Sequence, residues 1–275
     1  MRNLLLYISI LSFVGCNLFQ GQQQVEENTL VKEFEWLPVE EPEWPLVEDI
    51  LDITEKKLLE AINDGRGEIS DTTTFGKFFT IERIPRQVYQ QALKHRYDFL
   101  KKDSLAVKQE SGVMTLPCKK KTVTLLDEGP TEDTEVTFHN YLGEIPDLEQ
   151  YVVLRVVYRS FETLFIDKQT GAETEMGSNP LPTPDGKYVV DVYSDYYSII
   201  LTLYKVEKKR SFTFKKLITL EPHYWLLDYD EKEPEFFSND GYLYMPTICR
   251  YFSEDIDKRT YVRIGIKNQS SVNNK

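Results

Sequence analysis

From about Cys118 onward the apolar residues stop recurring at helical spacing and begin to alternate one by one. The segments "KTVTLLD", "TEVTFHNYL", "QYVVLRVVYRSFETLFID", "KYVVDVYSDYYSIILTLYKVE", "SFTFKKLITLE", "YWLLDYD", "GYLYMPTICRYF" and "RTYVRIGIK" share this pattern. A period of two puts successive side chains on opposite faces of a strand, so this part of the chain is constrained to sheet. Gly, Pro, Asp and Lys-rich turns separate the segments, which therefore fold back as antiparallel neighbours. Residues 151–167 and 188–206 are too long for ordinary single strands and are expected to form hairpins, turning at 159–162 and 194–197. The 17 Tyr and 15 Phe suit such half-buried pleated surfaces.

Upstream the period is helical. Val47, Ile50, Leu51, Leu58, Leu59 and Ile62 lie on one face of a helix expected over residues 47–63, with Gly65 as its stop. "GKFFTIERI" reads as a strand, and Pro85 suits the first turn of a second helix that carries Val88, Tyr89, Ala92, Leu93, Tyr97 and Leu100 on one side. Residues 25–46 hold Pro38, Pro42 and Pro45, which forbid a helix and favour an extended segment laid down by Trp36 and Trp44. The fold class expected is α+β: a small helical region at 47–117, then a mainly antiparallel β-domain at 118–270, built as a propeller or as curved sheets.

The first residues, "MRNLLLYISILSFVGCNLF", combine Arg2, an apolar run from Leu4 to Val14, Gly15 and Cys16. The run is too short for a permanent membrane span and has the plan of a secretory signal. Phe13, Val14, Gly15 and Cys16 resemble the lipobox of bacterial lipoproteins, with Phe13 where leucine is usual. That resemblance implies a signal at 1–15 cut before Cys16, acylation of Cys16 (palmitate among the chains), and a mature protein tethered to a membrane. An ordinary cleaved signal with an incidental cysteine is the alternative. More than one acyl chain makes such an anchor effectively permanent. Residues 16–46 then begin with a flexible, glutamine-rich tether, "NLFQGQQQVEEN". Asn17 stands where an inner-membrane retention aspartate would, so the resemblance favours the outer membrane, in the manner of Bacteroidota lipoproteins, with the leaflet left open.

The net charge of −12 argues against nucleic acid as a partner, because phosphate recognition needs clustered cations. Residues 25–60 carry twelve Asp or Glu against three Lys: a solvated face, a docking surface for something basic, or a charge met within the chain by the Arg- and Lys-rich segment "ERIPRQVYQQALKHRYDFLKK". Cys118 and Cys249 are a disulfide candidate in an exported chain. Closing so long a loop would stabilise the fold by about 5 kcal/mol in the chain-entropy model. Two buried thiols are the other reading.

"FIDKQTGAETEM" followed by "PTPDGKYVV" resembles the blade edge of TolB-like and dipeptidyl-peptidase-type β-propellers, carried by Asp167, Thr170, Gly171, Pro184, Asp185, Gly186 and Lys187. Ser238, Asn239, Asp240 and Gly241 in "FFSNDGYLYM" form a second copy. The resemblance implies three or four blades over residues 120–270, with Gly186 and Gly241 at equivalent turns. The motif is also plain turn chemistry, since Asp-Gly supplies positive φ.

No Gly-x-Ser-x-Gly, Walker loop, Gly-x-Gly-x-x-Gly or His-Glu-x-x-His occurs, and no cofactor is expected. His95, His139 and His223 have no ligand spacing; His223, beside Trp225 in "EPHYWLLDYD", is the best placed to join a binding pocket. Asp228 and Asp230 in "DYDEKEPE" have the interval of some calcium loops but lack the turn glycine and terminal glutamate, and a solvated hairpin tip is the simpler reading. Tyr193, Tyr196, Tyr197, Tyr242, Tyr244 and Tyr251 can line a carbohydrate or peptide groove, or pack as core. The expected function is a membrane-anchored binding module of the cell envelope with a protein or glycan partner. The alternative is an envelope hydrolase working through paired carboxylates. An enzyme should show convergent carboxylates about 5–10 Å apart in a cleft, a binder a broad exposed apolar patch.

Overall fold

The computed structural model describes residues 61–63, 68–70, 72–102, 107–129, 136–158, 160–194, 198–222, 225–228, 230, 232–249 and 259–267. Contacts divide the chain into Met1–Leu46 and Val47–Lys275, and every described residue belongs to the second unit. Its sheets are antiparallel throughout the described residues and follow one another along the chain. The first is β4 (Lys108–Glu110), β5 (Val113–Pro117) and β6 (Thr122–Leu126). The second is the meander β7 (Thr137–Ile145), β8 (Gln150–Val157), β9 (Ser160–Asp167) and β10 (Glu173–Gly177). The third is β11 (Pro180–Pro182), β12 (Tyr188–Ser194), β13 (Ile199–Lys208) and β14 (Phe212–Pro222), extended by β1 (Ala61–Asn63) and β2 (Glu68–Ser70). The fourth is β15 (Trp225–Leu227), β16 (Phe236–Phe237), β17 (Leu243–Cys249) and β18 (Thr260–Ile266), completed by β3 (Phe79–Ile84). Both long segments turn where their length demands, between β8 and β9 and between β12 and β13.

Each pair of successive sheets has its own apolar layer. Met114, Leu116 and Leu125 meet Tyr151, Val153 and Ile166 between the first and second sheets. Val152 and Phe165 meet Val189 between the second and third. Leu201 and Leu203 meet Trp225, Met245 and Ile264 between the third and fourth. Strand β12 is therefore buried on both faces, which explains why "YVVDV" reads as an almost unbroken apolar run. The far face of the fourth sheet is covered by α2 (Arg86–Leu93), whose Tyr89 and Ala92 pack on Phe236, Tyr244 and Tyr261.

Three expectations need correcting. Ala61–Asn63, expected to end a helix, pairs as a strand with Leu220–Pro222; residues 47–60 of that helix lie outside the described residues. Gly76–Phe78, expected to open the "GKFFTIERI" strand, instead close helix α1 (Thr72–Phe78), which immediately precedes β3. Most consequentially, Cys118 does not divide a helical region from a β-domain. Five strands, β1 to β5, precede Cys118, and β3 pairs along its whole length with β18, from Phe79↔Ile266 to Ile84↔Tyr261. A strand that far upstream thus completes the last described sheet, a long-range pairing that local periodicity does not encode.

Candidate functional site

Two Asp-Gly turns open the long strands of the third and fourth sheets. Gly186 has φ +66° and Gly241 φ +86°, and each donates its N–H to the carbonyl three residues back, Thr183 and Ser238, at 2.9 Å. In both, the aspartate accepts the backbone N–H two residues on: Asp185 from Lys187 and Asp240 from Tyr242, each at 3.1 Å. Each turn joins a short strand, β11 or β16, to a long one, β12 or β17. The expected equivalence of Gly186 and Gly241 holds, and the two turns face a shared cavity of about 290 Å³ with Tyr188 and Ile266. A wider groove of about 640 Å³ lies between the second turn and α2, lined by Gln87, Val88, Gln91, His95 and Asn239.

The acidic stretch at 228–235 is not a solvated tip. Arg259, at the head of β18, donates Nε to Asp228, and Nη1 to Asp230 at 3.2 Å and to Glu233 at 2.8 Å. Glu233 also takes Arg86 from the start of α2, at 2.7 Å, and the Tyr261 hydroxyl at 2.6 Å. Burial alone would raise the Glu233 pKa, but the hydrogen bonds from Tyr261, Arg86 and Arg259 outweigh it and hold the carboxyl below its usual range. Asp230 is lowered too, first by the Lys232 backbone N–H and then by Arg259. Asp228 and Asp230 are thus committed to a guanidinium, and the network ties loop, helix and strand together.

Trp225 is 1 % exposed in the layer between the third and fourth sheets, so it is a core residue and not the wall of an open pocket; His223 lies outside the described residues. His139 is buried with Nδ1 3.2 Å from Asp127, and His95 is exposed on the groove beside α2. Cys118 is a half-buried free thiol just past β5, its pKa raised chiefly by burial. Cys249 ends β17 opposite Trp225 in the fourth sheet, and its side chain, like Cys16, lies outside the described residues. Tyr242 and Tyr244 pack with the α2 layer, while Tyr196, Tyr197 and Tyr251 lie outside the described residues.

Sequence reasoning missed a rim at the other end of the sheets. Among the described residues seven large apolar side chains are exposed, and six of them, Val113, Leu126, Phe138, Tyr158, Phe161 and Tyr193, sit at the end opposite the Asp-Gly turns. Their exposure runs from 37 % at Val113 to 63 % at Tyr158. Register fixes their common level. Val113 pairs with Leu126, Phe138 and Phe161 flank Val156 in one cross-strand row, and a Glu128–Thr137 bridge joins the first sheet to the second. The crossover from the second sheet to the third is held at that level too, by Thr163 donating to Ser178 O at 3.1 Å and Asp191 accepting the Asn179 N–H at 2.9 Å. Phe138 and Phe161 continue the face that buries Val152 and Phe165, and Tyr193 continues the facing row that buries Val189. The apolar rows therefore run past the covered part of the interface. Just beneath Tyr193, burial pushes the Asp191 carboxyl up to about 6 against the opposing Asn179 and Ser178 N–H groups.

No family model, no curated protein and no solved structure matches the chain.

Proposed function

We propose that this chain is a lipid-anchored lipoprotein of the bacterial cell envelope, at the outer membrane, that works by binding a protein partner and not by catalysis. The observation that carries the binding reading is the rim. Phe138, Phe161 and Tyr193 lie exposed at one end of the layer between the second and third sheets, with Tyr158 at the same level and Val113 and Leu126 on the outer face of the first sheet, where a free surface normally spends little apolar area. The row Phe138, Val156, Phe161 offers no polar atom of its own, which suits apolar side chains of a protein better than the hydroxyls of a glycan. Anchorage is supported by Gly15 and Cys16 behind the apolar run. Four successive antiparallel sheets, the third and fourth entered through matching Asp-Gly turns and the fourth completed by β3, support a propeller-like arrangement. The hydrolase alternative draws nothing from the carboxylates of Asp228, Asp230 and Glu233, because arginines occupy them.

Two experiments test this reading. Cys16→Ser should leave protein that no longer partitions into detergent, and unchanged partitioning would refute the anchor. Envelope co-purification with the full chain should lose its partner on joint Phe138→Ser and Phe161→Ser substitution while the melting transition stays in place. Retention of the partner would refute the rim.

A further inference from the structure

The hairpin of β13 and β14 reads "KVEKKRSFTFKK" over residues 205–216, with six Lys or Arg against one Glu. This is a net of +5 inside a chain of net −12. The hairpin tip lies at the end of the third sheet opposite Tyr193, and β13 is 10 residues long, a separation of about 30 Å at strand rise. All six cations are exposed. Their neutralisation within the described residues is slight: Glu207 lies 3.9 Å from both Lys205 and Lys209, and Lys208 stands 4.7 Å over the ring of Phe212. Moreover, Lys205 pairs directly with Lys215 across the ladder. Like charges in opposed positions destabilise a hairpin, so the concentration of lysine here works against the fold it sits in. A strand edge can be kept soluble with far less charge.

We propose that this hairpin docks on the anionic headgroups of a lipid bilayer, laying the domain on the membrane with its apolar rim turned away. The proposal rests on the anchored-lipoprotein reading, which brings a bilayer within reach of the chain. Clustered Lys and Arg are attracted to a negatively charged leaflet, each adding to the affinity, and the attraction is screened by salt. With the hairpin at the lipid, the rim 30 Å or so away faces outward, where a protein partner can reach it.

The test uses the full chain carrying Cys16→Ser, so that acylation plays no part, and vesicle flotation. Vesicles of phosphatidylcholine and phosphatidylglycerol in a ~7:3 ratio should carry the protein, and pure phosphatidylcholine vesicles should not. Raising salt from ~0.05 to ~0.5 M should release it. Joint substitution of Lys208, Lys209 and Arg210 by Ser, all exposed at the hairpin tip, should weaken flotation by about tenfold or more with an unchanged melt. Equal flotation on both vesicles, none on either, or full flotation of the substituted protein would overturn the proposal. So would a soluble acidic polysaccharide that binds the hairpin more tightly than vesicles do. Detergent partitioning of the chain with Cys16 intact reports the anchor separately, so the two readings fail distinguishably.

Discussion

The two ends of the same sheets carry opposite chemistry. At the rim end, strands finish on Phe138, Phe161 and Tyr193 with apolar surface left open; at the other, they finish on tight Asp-Gly turns and a lysine-rich hairpin. Between them, Val152, Phe165 and Val189 are at most 4 % exposed, so the shared layer is an ordinary core. The difference teaches that the packing between sheets builds the frame and the strand ends carry the recognition. Apolar exposure costs solubility, and like-charge pairing costs stability; neither contributes to the frame, and each makes sense as a surface for something else.

That division is sharpened by changes to the frame, which should move stability and leave both ends working. Arg259→Met leaves Asp228 and Asp230 without a guanidinium and Glu233 with Arg86 and Tyr261 alone, and thermal unfolding should show a loss of about 3 kcal/mol. Vesicle and partner binding of the folded fraction should be unchanged. A loss of either binding without destabilisation would move the arginine cluster from frame to site.

Protonation offers a second, somewhat smaller effect. The Asp191 value of about 6 lies above that of an unfolded aspartate, so its contribution to stability is full below about pH 4 and is lost as pH rises through 6, roughly 2–3 kcal/mol in all. Glu233 and Asp230 are lowered, so their contribution is present at higher pH and is lost as pH falls through their folded-state values. Melting temperature across pH should therefore peak on the acid side of neutral. Asp191→Asn should flatten the decline toward pH 7, and a decline that survives it would clear Asp191 of the cause.

At the turn end, Gly186→Val and Gly241→Val should each cost about 1–3 kcal/mol, because a branched side chain resists positive φ. An added methyl meets nothing within 4 Å at Gly241 and only Leu148 at 3.8 Å beside Gly186, so Ala should cost less than Val. Denaturant titration reads both. Unequal costs would break the equivalence of the two turns. The smallest stability effect belongs to the rim: Phe138→Ser and Phe161→Ser remove half-exposed rings and should shift stability by less than about 1 kcal/mol each. A larger loss would make these rings core residues and the rim part of the frame.

Much of the frame was legible. Alternation gave β6–β9, β12–β15, β17 and β18, and Asp-Gly marked the entries at 186 and 241, because turn geometry and strand period are local properties. What was missed depends on distant partners. Ala61–Asn63 belongs by pattern to a helix and pairs instead with β14; Phe79–Ile84 gives no local sign that it will complete the last sheet. "DYDEKEPE" looks solvated until Arg259, in another strand, closes on it. The rim is hidden for a similar reason: Phe138 and Phe161 alternate like core residues, and only the extent of the neighbouring sheet decides that they are not covered. The basic hairpin was readable as "KVEKKRSFTFKK" but is masked by the chain's overall negative charge.

Site-specific photo-crosslinking in intact cells tests the two-ended arrangement most directly, with a photoreactive residue placed in the full chain at Phe161 or at Lys209, both exposed and at opposite ends. The expected result is a discrete protein adduct from Phe161 and lipid adducts from Lys209. Lipid adducts from Phe161, or the same protein captured from both positions, would contradict it.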